Sequence, residues 1–205
     1  MYHEGSELTT ATHPEPCRVV CAGDWITAPR IGATGTLERL CRIGQPDRAW
    51  TFWHLGDAQT TAEALLREAI WKALGMGAGR LVLSLGGAEA SQDDFDPQAT
   101  AESIRRCMVL LADKGPQELF FVLPSPALWP LSKRASVEAM RHALSQPATR
   151  WTLVDLEPRS SAFLHAQSKH PDQAAALVED SDSGPSLTSL GALLVADELH
   201  KVLAE

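Results

Sequence analysis

Along the chain, short and nearly continuous apolar runs alternate with longer stretches in which apolar residues recur every three or four positions. The runs RVVCAG (18–23), WTFWHL (50–55), RLVLSLGG (80–87), ELFFVLP (118–124) and WTLVDL (151–156) read as five β-strands. Strands covered on both faces have no polar side to show, so continuous apolar runs predict a parallel sheet with layers above and below it. The stretches between them carry helix signals. Thr60 with Glu63 has capping-box spacing ahead of AEALLREAIWKAL. Asp96 followed by Pro97 gives an N-cap with proline at the first helical position, ahead of ATAESIRRCMVLLAD. Ser132 is placed to cap KRASVEAMRHAL, and a last helix over about 189–204 carries Leu190, Leu193, Leu194, Leu199 and Val202 as its core-facing stripe. Residues 157–186 form a long excursion rich in Ser, Asp and Pro, with a short helix expected near 172–179. The alternation predicts a doubly wound, three-layer α/β/α sandwich with a five-stranded parallel sheet.

The 205 residues suffice for one domain with a sizeable core. Residues 1–16, mostly polar, read as a flexible arm and 17–205 as the domain. The arm lacks the apolar centre of a signal peptide, and no apolar run approaches the roughly 18 residues of a spanning helix. The four cysteines form no CxxC pair, and Cys17 and Cys21 read as small buried apolar residues of the first strand. These features predict a cytoplasmic protein with reduced thiols. The formal net charge is −8, and no Lys/Arg cluster occurs along the sequence. Nucleic acid and membrane are therefore set aside as partners, and nothing in the sequence calls for a cofactor.

In a doubly wound fold, ligands bind beyond the carboxyl ends of the strands. The first strand delivers Gly23, Asp24 and Trp25 there, and the second is followed by His54, Gly56 and Asp57. The third delivers Gly86, Gly87, Ala88 and Glu89, the fourth Ser125, and the segment SGPSLTSLG (183–191) leads into the last helix.

These segments resemble, in order, the conserved blocks of the SGNH (GDSL-type) hydrolases, a family with a flavodoxin-like fold. GDW at 23–25 is similar to the GDS block, and HLGDAQTTAEALLR at 54–67 to the second block. LVLSLGGAEA at 81–90 is similar to the third, and SGPSLTSLG to the last, which in the family reads D-G-x-H-L-T-x-x-G. The resemblance puts the nucleophilic serine's place on Trp25, the oxyanion-hole asparagine's on Ala88, and the aspartate's and histidine's on Ser183 and Ser186. Gly56 alone keeps its family identity among the functional positions. The framework around them persists while the reactive groups do not.

The substitutions matter chemically. Acyl transfer by the family's route needs a hydroxyl activated by an imidazole that a carboxylate holds in place. An indole offers only an N–H donor, and removing one oxyanion-hole donor alone slows turnover by about 10²–10³. The resemblance therefore implies a catalytically inactive member that serves as a binding or scaffolding module. Its recognition surface would be the former active-site face, around Asp24, Trp25, His54, Gly56, Asp57, Ala88, Glu89, Trp129, Ser183 and Ser186. The expected partner is a protein or a small, saccharide-like ligand, met by exposed Trp25 and Trp129. Alternatively, these two tryptophans simply fill the cleft.

Two other readings stay open on the sequence. Asp24, His54 and Asp57 would form a rearranged esterase or acetylhydrolase site if they converge. With Glu89 they would present a His and three carboxylates to a divalent metal or for acid/base work. Against both, Asp24 and Asp57 read as turn caps. Ser84 is expected to be buried, and Ser125 has no evident base. His142 and His200 are expected to face solvent, and His165 and His170 lie in the excursion.

Overall fold

A computed structural model describes residues 16–28, 33–146, 150–166, 177–181 and 184–204. Five parallel strands form the central sheet: β1 (Cys17–Gly23), β2 (Trp50–Gly56), β3 (Arg80–Ser84), β4 (Glu118–Leu123) and β5 (Thr152–Asp155). All five lie where the apolar runs predict them. Their order, β2-β1-β3-β4-β5, is the flavodoxin-like doubly wound order. Every residue of β3 is buried, as is all of β1 but Arg18. Successive side chains point to opposite faces of a strand, so both faces of the sheet are covered. Where Leu81, Val82, Leu83 and Phe121 meet the flanking helices lies the core.

The helices are α1 (Ala33–Gly44), α2 (Ala62–Ala64), α3 (Ile70–Gly75), α4 (Gly87–Ala90), α5 (Pro97–Lys114), α6 (Leu131–Leu144), α7 (Glu157–Ala166) and α8 (Ser189–Ala204). Helix α1 packs on α8, and α5 packs on α6 and α2. Asp96 caps α5 as predicted, accepting from the backbone N–H of Gln98 and Ala99 with Pro97 at the first position. Its buried stripe, from Thr100 and Ala101 through Ile104, Cys107 and Met108 to Leu111, has the helical period.

Other expectations need correction. The α2 cap is Thr61 rather than Thr60; its hydroxyl accepts from Ala64 N at 3.1 Å. The helix that follows is interrupted by a π-helical stretch, Leu65–Ala69. Helix α6 starts at Leu131, after Pro130, so Ser132 lies inside it and caps nothing. Helix α1, for which no start signal was identified, is amphipathic and buries Leu37 and Cys41, four residues apart. Within the excursion lie α7 and a two-stranded antiparallel ribbon, β6 (Val178–Ser181) and β7 (Gly184–Leu187). Of the short helix expected near 172–179, residues 172–176 lie outside the described residues, and Val178 and Glu179 belong to β6. On α8, Leu194 and Leu199 are buried as expected, but Leu190 and Leu193 are 43% and 49% exposed. The inward face is instead built on Gly191, Ala192, Val195 and Ala196, because small residues let α8 lie close to its neighbours. A Cβ on Gly191 would come within 2.1 Å of the Leu177 carbonyl oxygen.

No helix among the described residues is long and apolar enough to cross a membrane. The four cysteines are free and buried.

Candidate functional site

The strand order reverses direction between β1 and β3, which is where a crevice opens in this topology. At that point β1 turns through Gly23, whose φ of +120° is a conformation that L side chains rarely adopt. A Cβ there would lie 1.8 Å from the Ser84 carbonyl oxygen. The tight corner brings Asp24 beneath the end of β3. Its Oδ1 accepts from Ser84 Oγ at 2.8 Å and from Ile26 N at 3.2 Å, and its Oδ2 accepts from Gly87 N at 2.8 Å. Asp24 is thus more than a turn cap. It is a buried carboxylate that fastens the β1 corner to β3 and α4. Burial pushes its pKa up, against the pull of these hydrogen bonds.

Trp25 follows directly. Its indole lies over Gly87, where a Cβ would come within 2.2 Å of Nε1. It meets Trp129 edge to face, with ring centroids 6.0 Å apart and an interplanar angle of 77°. Both tryptophans are buried, at 3% and 6% exposure, so the expectation of an exposed aromatic surface is corrected. They fill the cleft. The space left among Trp25, Ser84, Gly87, Ser125 and Trp129 is about 10 Å³, room for a single water at most. The Trp25 Nε1–H has no hydrogen-bond partner among the described residues.

Trp129 is held by the turn after β4. There, Ser125 Oγ donates to Glu157 Oε2 at 2.6 Å, and Ala127 N donates to the same oxygen at 3.1 Å. The expectation that Ser125 stands without a basic neighbour is therefore corrected. Its partner is the first residue of α7, and the bond anchors the 3₁₀ turn Pro126–Leu128. Ser125 and Ser84 are both buried.

His54, Asp57 and Glu89 do not join Asp24 around one centre. His54 lies two residues before the end of β2 and stacks on Phe52 at 6.3 Å. Its Nε2 is 3.5 Å from Glu38 Oε2 on α1. Trp50, Phe52 and His54 have the same strand parity and share that face. Asp57 caps its own turn, accepting from Gln59 N at 2.9 Å. Gly56 sits under the 24–27 turn, where a Cβ would be 2.4 Å from Thr27 backbone atoms. Ala88 is buried in α4. Glu89 reaches sideways, and its Oε1 accepts from Ala62 N at 2.7 Å at the start of α2. Its Oε2 is buried with no hydrogen-bond partner among the described residues, and burial pushes its pKa up. Among the described residues, no group of three or more His, Cys, Asp or Glu is arranged to hold a metal ion. Ser183 lies outside the described residues, and the backbone of Ser186 sits in β7 opposite Glu179.

Of the other histidines, His142 and His165 are exposed on their helices, while His3, His13 and His170 lie outside the described residues. His200 is half-buried rather than solvent-facing, with Nε2 beside Gly44 and unpartnered among the described residues, because α8 packs on α1 there.

No protein-family model matches the sequence, and no curated protein matches it significantly. Solved structures do match the fold. An α/β hydrolase enzyme, LAE5, from the metagenome of Lake Arreo, Spain, superposes with a TM-score of 0.73 at 15% identity, covering 92% of this chain and 95% of its own. The acetylxylan esterase Axe2 of Geobacillus stearothermophilus gives 0.75 at 13% identity, covering 92% and 94%. A catalytic mutant of Axe2 gives 0.74 at 14% identity, covering 90% and 92%. Over nearly its whole length, the chain has the α/β fold of these hydrolases, with a five-stranded parallel sheet.

Proposed function

We propose that this chain is a catalytically inactive relative of the esterases whose fold it has, retained as a binding or scaffolding module. The observation that carries the reading is Trp25. At the position that the resemblance assigns to the nucleophile, an indole packs on Gly87 and Trp129 and leaves about 10 Å³ where a substrate carbonyl would have to enter. Without a hydroxyl at 25 and an imidazole at 186, the family's acyl transfer has neither nucleophile nor base. The rearranged alternative lacks support, since Asp24 is committed to three hydrogen bonds and His54 faces Glu38.

A filled cleft favours a protein partner over a small saccharide-like ligand, because a sugar ring needs a preformed cavity of hundreds of cubic ångströms. Next to the buried tryptophans, Pro130 and Leu131 are exposed. They offer a protein an apolar foothold on this face.

The test is turnover of 4-nitrophenyl acetate by the purified chain. The expected result is no rate above buffer at micromolar protein, and no change on His54→Ala. A rate that saturates with substrate and falls on His54→Ala would overturn the reading and restore the esterase.

A further inference from the structure

At the opposite end of the sheet, below the amino ends of the strands, lies a cavity of about 440 Å³ whose lining includes Arg18, Arg48, Arg80, Gln117 and Glu118. These arginines are 30 and 32 positions apart in sequence, and the parallel sheet gathers them because each stands at or near the start of a strand. Arg18 is the second residue of β1 and Arg80 the first of β3, with Val19 paired to Arg80. Arg48 stands two residues before β2 and lies over the Trp50 ring, 4.7 Å from its centroid. Gln45 holds it there, accepting from Arg48 Nη1 at 3.2 Å.

The charges do not balance. Arg80, only 9% exposed, is bound through Nε to Glu118 and through Nη1 to the Leu203 carbonyl. Arg18 and Arg48 make no ion pair among the described residues. Three guanidinium groups thus face one carboxylate in a molecule whose net charge is −8. Their field reaches the neighbouring helix. Burial pushes the Cys41 thiol up to about 11, with a further push from Cys17, while Arg80 and Arg48 pull it down.

We infer that this pocket is a binding site for a small ligand bearing a phosphate or diphosphate group. A dianion offsets the two uncompensated positive charges, which a single carboxylate does not. The planar forks of Arg18 and Arg48 suit the bidentate geometry that phosphate oxygens accept. The cavity lies within the size range of small-molecule sites. It is remote from the crevice that this topology ordinarily uses, so the inference stands independently of the esterase question. The chain itself offers a second source of anions. Pro16 is on the cavity rim, and residues 1–15 carry Glu4, Glu7 and Glu15 but no Lys or Arg.

The test is calorimetric titration of the full chain with pyrophosphate and with inorganic phosphate at low salt. The same titration is run on Arg18→Gln, Arg48→Gln and a Glu4→Gln, Glu7→Gln, Glu15→Gln triple variant, with melting curves to confirm folding. Saturable pyrophosphate binding that each arginine substitution weakens by about tenfold or more, and that added salt weakens too, is the expected result. Binding seen only, or much more tightly, in the triple variant upholds the anion site and names the arm's glutamates as its resident occupant. No heat in the wild type and in the triple variant would overturn the inference. So would binding that neither arginine substitution changes.

Discussion

Trp25 is a packing residue at the corner that ends β1. Its indole is buried, makes an edge-to-face contact with Trp129 and is admitted only because residue 87 has no side chain. Truncating a buried tryptophan to alanine removes its contacts and leaves a cavity, at a cost of about 3–5 kcal/mol. Trp25→Ala is therefore expected to lower the urea midpoint markedly, and millimolar indole should restore part of the loss by filling the vacated space. A Trp25→Ala melt that indole does not move would argue that the cleft collapses instead. Asp24 carries comparable weight beneath it. Replacing its Oδ2 by an amide would set a donor against the Gly87 N–H, which is why an acidic residue suits this corner structurally.

Among the elements, α2 is the least self-sufficient, with three residues before a π-helical stretch begins. It is stabilised from outside. Thr61 caps one backbone donor and Glu89, reaching over from α4, takes another. Burial raises the Glu89 pKa, so the folded protein holds that proton to higher pH than the unfolded chain does. The associated stability is complete below the ordinary glutamate range near 4.5, and it is lost as pH rises through the elevated folded value. Glu89→Gln keeps an acceptor for Ala62 N and removes the titration. The urea midpoint measured at a series of pH values is expected to fall less steeply above pH 4.5 than in the wild type. A residual slope of the same sign should remain, because Asp24 is shifted in the same direction. An unchanged slope would count against a raised Glu89.

Taken whole, the molecule has two distinct regions at opposite ends of one sheet. The carboxyl ends of the strands meet at a cleft filled with aromatic rings, and the amino ends surround an open, arginine-lined cavity. Perturbations at separated sites without shared partners add almost independently. In a Trp25→Ala variant that still folds, pyrophosphate affinity is expected to match the wild type within about twofold. A larger change, read by the same calorimetry, would mean that the two ends are coupled through the sheet.

The sequence by itself determined the layered architecture, because continuous apolar runs report burial on both faces and every strand of the central sheet was legible from its own residues. It also showed which residues stand at the strand ends, Trp25 and Ala88 among them, since identity needs no geometry. Helix starts were legible where a local cap exists, as at Asp96; at α2 the local cap was misplaced by one residue, Thr60 for Thr61, and the second acceptor, Glu89, comes from elsewhere in space. Side-chain direction and partnership were decided only in three dimensions. His54 points to α1 because its strand parity puts it on the face of Trp50 and Phe52. Trp25 is buried because Gly87 and Trp129, about 60 and 100 residues away, close around it. Three arginines with no sequence cluster become one because a parallel sheet lays the starts of its strands side by side.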